Sequence, residues 1–361
     1  MDAAARPRWW SPDRFMARRA NLVARAAMTG AIRAFFDDRG FLAVETPALQ
    51  VSPGLEPHLE AFAADLKEPF FDGPAARLYL HTSPEFAMKK LLVAGVAREY
   101  QLARVFRNGE RSGTHHPEFT MLEWYRAHAG WRDIAADCQA LLVAALAAAG
   151  ADRFRRGAAT CDPLARWEWL SVADAFARHA GIDLHATAPD PEAPDTALLA
   201  AAAARSGVWV GRNDAWEDIF FRVFLERIEP KLGLDAPTIL HDYPVSMAAL
   251  ARRSAADPRV AERFELFVCG LELANGFGEL TDAAEQRRRF EADCAKKEAL
   301  YGHRYPIDED FLAALSHGMP ESAGIAMGFD RLVMLATGAP TIEDVLWTPV
   351  ATAAEAARSN A

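Results

Sequence analysis

Helical and extended stretches alternate along the chain when its apolar positions are read for spacing. Residues 13 to 39 place Leu22, Ala26, Ile32 and Phe35 at helical intervals, with Pro12 and Asp13 at the start and Gly40 past the end. Phe41 to Glu45 reads as a strand stopped by Thr46 and Pro47. A Pro/Gly loop covers 51–58, a short strand 78–81, and a helix 86–94. Val105 and Phe106 are β-prone, a polar turn spans 108–113, and the return leg alternates, with Phe119, Met121, Glu123 and Tyr125 on one face. That pattern predicts a strand, a long loop and an antiparallel strand. A helix follows over 131–149. Residues 150 to 253 carry less pattern: a loop at 189–194, a helix over 214–231 with Ile219, Val223 and Leu225 as its apolar positions, and an extended piece at 240–245. Phe264 to Leu280 predicts two antiparallel strands about a turn at Cys269 and Gly270, with Asn275, Phe277 and Glu279 facing one side. Residues 281 to 301 form a charged helix whose expected role is a solvated face.

Two stretches bring candidate chemistry. The hairpin around residues 104–125 gathers Arg107, Arg111, His115, two carboxylates and two aromatics. A guanidinium grips phosphate oxygens through its planar fork, an imidazole adds a donor, and a ring such as Phe119 can stack on a flat base. The same charges also suit a solvated surface hairpin. In the second stretch, Glu265 and Glu272 would meet across the predicted hairpin and offer Mg²⁺ the hard oxygen ligands it takes. The alternative is a solvent-facing Glu265 and a structural Glu272. Ser83-Pro84-Glu85 is a common helix start.

The order Phe106, Arg107, loop, His115, Phe119 resembles motif 2 of the class II aminoacyl-tRNA synthetases, and within them the lysyl branch. The helix with Arg39-Gly40-Phe41, the strand and Glu45-Thr46-Pro47 resembles motif 1. Residues 322–335, with Gly324, Gly328 and Arg331, resemble motif 3. Thr82-Ser83-Pro84-Glu85 is similar to the substrate turn of the lysyl and aspartyl enzymes. The resemblance covers roughly residues 10 to 350 and implies an α+β class II catalytic fold, an antiparallel sheet flanked by helices, in one domain.

Site residues follow from that resemblance one by one. It implies Arg107 and Arg331 as the catalytic pair. It implies a nucleotide site of Arg107, Asn108, Gly109, Glu110, His115, His116, Phe119, Glu272, Leu273, Gly328 and Arg331. It implies an amino-acid site of Ser83, Glu85, Glu123, Tyr125, Asn275, Phe277, Glu279 and Ala326, with Glu279 as counter-ion to an ammonium group. ATP and Mg²⁺ are the implied cofactors, the metal on Glu265 and Glu272, and a homodimer through motif 1 is implied as well. One departure stands out. Gly109 takes the place of a family glutamate that reads the adenine edge, so either Glu110 or backbone groups near Asn108 and Gly109 take that role.

Motif 1 begins almost at the first residue, which leaves no room for the anticodon-reading OB-fold domain of a lysyl-tRNA synthetase. The chain therefore resembles the stand-alone lysyl paralogues that modify translation elongation factor P with lysine or β-lysine. Trp124, and Ala326 where the tRNA enzymes usually carry Gly, point the same way. A truncated tRNA-charging enzyme and a non-catalytic amino-acid sensor are the alternatives. Composition adds three constraints. The formal charge of −10 disfavours tRNA as a partner. Four cysteines without CxxC or metal spacing suit idle thiols in a reducing cytosol. No apolar run is long enough to span a bilayer, and the N-terminus lacks a signal-peptide core, so the expected location is cytoplasmic.

Overall fold

A single eight-stranded sheet organises the computed structural model, which describes residues 8–70, 73 and 75–359. The first seven residues, part of the stretch read for a missing leader, lie outside the described residues. The strands are β1 (Leu42–Ala43), β2 (Arg98–Phe106), β3 (Glu118–Ala127), β4 (Glu168–Ser171), β5 (Thr238–Pro244), β6 (Val260–Val268), β7 (Leu271–Gly278) and β8 (Ser322–Gly328). Their spatial order is β1-β2-β3-β8-β7-β6-β5-β4. The six central strands pair antiparallel, and β1 and β4 add to the two edges in parallel. The helices needed below are α1 (Pro12–Asp37), α2 (Glu85–Val93), α3 (Trp131–Ala148), α4 (Trp216–Val223), α5 (Ala283–Tyr301), α6 (Glu309–Gly318) and α7 (Phe329–Thr337).

Both faces of the sheet are covered, which is why β3 is buried at six consecutive positions. Leu122 and Trp124 face a core shared with α1, α3 and α7. Tyr125 faces the other way, into a core with Phe86, Phe290 and Phe311 of α2, α5 and α6. The poorly patterned region before β6 forms a helical module. Its helices Val172–Ala180 and Thr196–Arg205 and α4 bury Phe176, Leu199, Ile219 and Phe220 against β4 and β5.

Several expectations change. The expected strand 41–45 reduces to Leu42–Ala43, because Phe41 turns back onto the end of α1 and its N–H bonds the Phe36 carbonyl at 3.1 Å. On α1 the buried stripe includes Arg18 and Arg25, while Ala26 is exposed. Arg25 is buried because it pairs with Asp330 and donates to Thr120 Oγ1 at 2.9 Å. The helix expected over 214–231 runs only over Trp216–Val223. It widens to a π turn at Phe224–Ile228 and tightens to a 3₁₀ turn at Glu229–Lys231. Pro230 supplies the reason: it has no N–H for an α-helical bond and its ring crowds the preceding turn. Leu225, expected on the apolar face, is 56% exposed.

Candidate active site

The site is built in rows across the face of the sheet opposite α1 and α3. One row reads Gln101, Glu123, Ala326, Asn275, Glu265 from β2 to β6. The neighbouring row reads Glu99, Tyr125, Gly324, Phe277, Arg263. Glycine is required at 324: a Cβ there would sit 2.1 Å from the Tyr125 ring and 2.9 Å from a Glu279 oxygen. Glu272 joins this face through an irregularity. It lies three residues from Asn275, an odd spacing that would turn it away from the site in a regular strand. The register shifts so that Leu266 opposes Ala274 and Phe267 opposes Glu272, leaving Leu273 as the extra residue of a bulge. The turn at Cys269 and Gly270 has φ of 54° and 64°, the paired left-handed conformation of a tight hairpin.

Above these rows lies a cavity of about 630 Å³, lined by residues from α2, β3, β7, β8, α5 and the 51–58 loop. Most of the expected site residues reach it. Ser83, Glu85, Asn275, Phe277 and Ala326 line one part. Arg107, Glu110, His115, Phe119, Arg331 and Glu272 line another, with Leu273 and Gly328 beside them.

The second group makes a cationic end. Arg107 lies 5.3 Å from the centre of the Phe119 ring, and its buried Nε has no hydrogen-bond partner among the described residues. Arg331 donates to the Glu272 carbonyl at 2.8 Å, to the Thr114 carbonyl at 3.3 Å, and to His115 Nε2 at 2.8 Å. Accepting there, His115 carries its proton on Nδ1, which contacts Ser112 Oγ at 2.8 Å. Burial and the nearby Arg331 push the His115 pKa down, so the ring is neutral.

The first group makes an acidic floor. Lys89 Nζ sits 2.5 Å from Glu85 and 2.5 Å from Glu279, and its side chain is 1% exposed. Burial acts to lower the Lys89 pKa, yet Glu279 and Glu85 hold it above the ordinary value. Glu123 accepts from Ser83 Oγ at 2.6 Å and from Tyr125 Oη at 3.0 Å. Burial and the neighbouring Glu85 still push its carboxyl up to about 8. Burial raises the Glu279 carboxyl as well, with Lys89 pulling against it. Two carboxylates thus hold one internal ammonium, and a third, Glu123, is held nearby by hydroxyl groups.

Six expected residues lie outside the cavity lining. Glu123, Tyr125 and Glu279 are beneath the floor, and the partner of Glu279 is Lys89. Glu265 is behind the wall, where Arg263 Nη2 donates to it at 2.7 Å. Asn108 and Gly109 turn away: the Asn108 N–H bonds the Glu60 carbonyl at 2.7 Å, and the Gly109 N–H bonds Asn108 Oδ1 at 2.9 Å. With those amides spent, Glu110 is the member of the open alternative that faces the cavity. His116 lines the wall without a nitrogen to offer. Its Nδ1 bonds the Glu118 carbonyl at 2.7 Å and its Nε2 accepts from the Val350 N–H at 3.2 Å. Arg111 leaves the site for Glu343 and the Val350 carbonyl.

The family of tRNA synthetases class II (D, K and N) matches residues 2–352. An elongation factor P–(R)-β-lysine ligase of Sodalis glossinidius is 44% identical over 343 residues, covering 93% of this chain and 96% of that protein. Proteins of the same name from Pectobacterium carotovorum and Yersinia enterocolitica are each 42% identical, covering 93% and 94% of this chain and 96% and 97% of their own lengths. The chain belongs to the class II tRNA synthetase family, among the elongation factor P–(R)-β-lysine ligases. The central antiparallel sheet with its three motifs is the fold of that family.

Motif resemblance missed three features of this site. Asp330, on the residue before Arg331, pairs with Arg25 of α1 and accepts from the Thr120 N–H at 2.6 Å. One buried carboxylate therefore ties the motif 1 helix, the motif 2 strand and the motif 3 helix together; a buried Arg at an apolar helical position was its only sequence signal. Arg263, paired with Glu265, adds a further cation to the cavity lining and lies 4.4 Å from the Tyr243 ring. The α5 helix, expected to be solvated, sends Gln286, Phe290, Asp293 and Lys296 to the cavity. Its Lys297 is buried because its ammonium caps the Pro57 and Leu59 carbonyls at 3.1 and 2.7 Å.

Proposed function

We propose that this chain activates (R)-β-lysine with ATP and transfers it to the ε-amino group of a lysine on elongation factor P. The observation that carries this reading is one cavity lined by Arg107 and Arg331 and by Glu85, with Glu123 and Glu279 directly beneath its floor and Lys89 paired between Glu85 and Glu279. The cationic end suits a triphosphate. The acidic floor suits an amino acid with two ammonium groups. The family membership and the names of the relatives support the same substrates.

In the first step the substrate carboxylate attacks the α-phosphorus of ATP. The bond to the β-phosphate breaks, pyrophosphate leaves, and an aminoacyl-adenylate remains. The nucleophile is already an anion, so no general base is needed. Arg107 clamps the reacting phosphate and carboxylate, and Arg331 with His115 holds the outer phosphates. Phe119 offers the adenine a face. In the second step the neutral amine of the acceptor lysine attacks the acyl carbon, AMP leaves, and the amine gives up a proton as the amide forms. Positioning carries most of that step.

Glu272 lines the cavity and is the carboxylate placed to hold Mg²⁺ there; Glu265 lies close enough to feel the charge of Glu272 but is paired with Arg263 behind the wall, so phosphate and water would supply the remaining ligands. Bound there, Mg²⁺ would neutralise charge on the phosphates. Ala326, between Asn275 and Glu123, narrows the floor by one methyl and favours the β-amino isomer. The exposed Met16, Val23, Leu42 and Leu49 around motif 1 support a homodimer, and a cytoplasmic location accords with the proposed acceptor. The test is incubation with ATP, (R)-β-lysine and either elongation factor P or tRNA. A mass gain on the factor with uncharged tRNA is expected; charged tRNA with unmodified factor overturns the proposal.

A further inference from the structure

The rim of the cavity on the α4 side differs from the surrounding surface. Glu217 and Phe221, one turn apart on α4, both line the cavity. Phe221 remains 38% exposed, and Leu225, in the π turn that follows, is 56% exposed. Trp209, 71% exposed, is held by the residue after Phe221: the Arg222 guanidinium lies 4.6 Å from its ring centre and donates to its carbonyl at 3.1 Å. The folding of the module does not require these side chains. Its core is filled by Trp216, Ile219, Phe220 and Val223 from the opposite side of the same helix. Exposed apolar side chains gathered on the elements that border a cavity mark a contact surface.

The border of this surface is acidic. Glu226 is exposed beside Leu225, and Glu56, Glu217 and Asp293 line the mouth. The nearby cations are already engaged, Lys296 with Glu217 and Arg222 with Asp214. Burial and the adjacent Glu56 push the Asp293 carboxyl up to about 7, against the opposing pull of Lys296. Such a border repels nucleic acid phosphates and attracts a basic chain.

We propose that Trp209, Phe221, Leu225 and Glu226 form the docking surface for the protein acceptor, and that it takes a basic segment carrying the lysine to be modified. This rests on the proposed transfer to a protein lysine. A lysine side chain is short, so the backbone that sends its amine into the cavity has to lie on the rim. The apolar side chains supply anchors of the aromatic and aliphatic kind found at interface centres, and the acids orient the incoming chain.

The test uses Leu225→Lys and Glu226→Lys, both outside the cavity lining, with intact elongation factor P as the acceptor. Each variant is expected to raise the acceptor KM by about tenfold or more at low salt, with ATP–pyrophosphate exchange on (R)-β-lysine within about twofold of wild type. An unchanged acceptor KM in both variants overturns the docking surface. A parallel loss of exchange also overturns it, because the residues would then serve the cavity itself. Wild-type protein that exchanges pyrophosphate but never modifies the factor overturns the proposed function instead.

Discussion

Replacing Lys89 by Met removes the one ammonium between Glu85 and Glu279. Lys89 is 1% exposed and 2.5 Å from each carboxylate, and the Glu279 side chain is 0% exposed, so its oxygens regain no water when the ammonium goes. Methionine is of similar length, which leaves the loss mainly electrostatic. Removing one partner of a buried pair costs about 3–5 kcal/mol, and here two carboxylates lose their partner together. The cost should depend on pH. The Glu279 carboxyl is already raised by burial and rises further without Lys89. A carboxyl raised on folding contributes stability that is fully present below its unfolded value and is lost as pH rises through its folded value. Within that window each such group costs about 1.4 kcal/mol per pH unit. Urea unfolding of Lys89→Met should therefore show a large deficit near pH 8 that shrinks toward pH 5. Adding Glu85→Gln and Glu279→Gln to Lys89→Met should restore most of the stability at pH 8. A variant within about 1 kcal/mol of wild type at pH 8, as for a surface pair, or a deficit that grows in acid, would refute the reasoning.

Arg107→Ala should lower ATP–pyrophosphate exchange by about 10²–10³ with the fold intact, since a preorganised charge-assisted contact is lost; near-normal exchange would count against its role. Ala326→Gly should move the preference toward α-lysine by no more than a methyl is worth, about 1–3 kcal/mol, and an unchanged ratio of activities for the two isomers would sink the steric argument. With the Glu123 carboxyl near 8, much of it is protonated at neutral pH, and an arriving ammonium lowers it. Binding of (R)-β-lysine should then release protons, seen as a calorimetric heat that varies with buffer ionisation enthalpy; identical heats in all buffers would argue otherwise.

The motif 2 hairpin, the turn at Cys269 and Gly270 and the shared face of Asn275 and Phe277 were legible because each is written in a local period or a local turn. Features that depend on distant partners were not. Arg25 looks like a solvent residue until Asp330 is beside it, and Ala26 looks like core until Arg25 takes the buried position. The bulge at Leu273 is invisible to a period-two reading, although it alone turns Glu272 to the cavity face. Glu279 was expected to await a substrate ammonium, and the one it meets belongs to Lys89, one turn along the helix from Glu85. The module before β6 resisted reading because its alanine-rich helices are short and Pro230 breaks the last one into two unlike turns.

The most direct measurement of the central claim is isomer-resolved transfer in one pot. Purified protein, ATP and an equimolar mixture of (R)-β-lysine and isotopically distinct α-lysine are incubated with both elongation factor P and tRNA. Intact-mass analysis is expected to show a single addition on one lysine of the factor, carrying mainly the β-isomer, with the tRNA uncharged. Aminoacylated tRNA beside unmodified factor would contradict it.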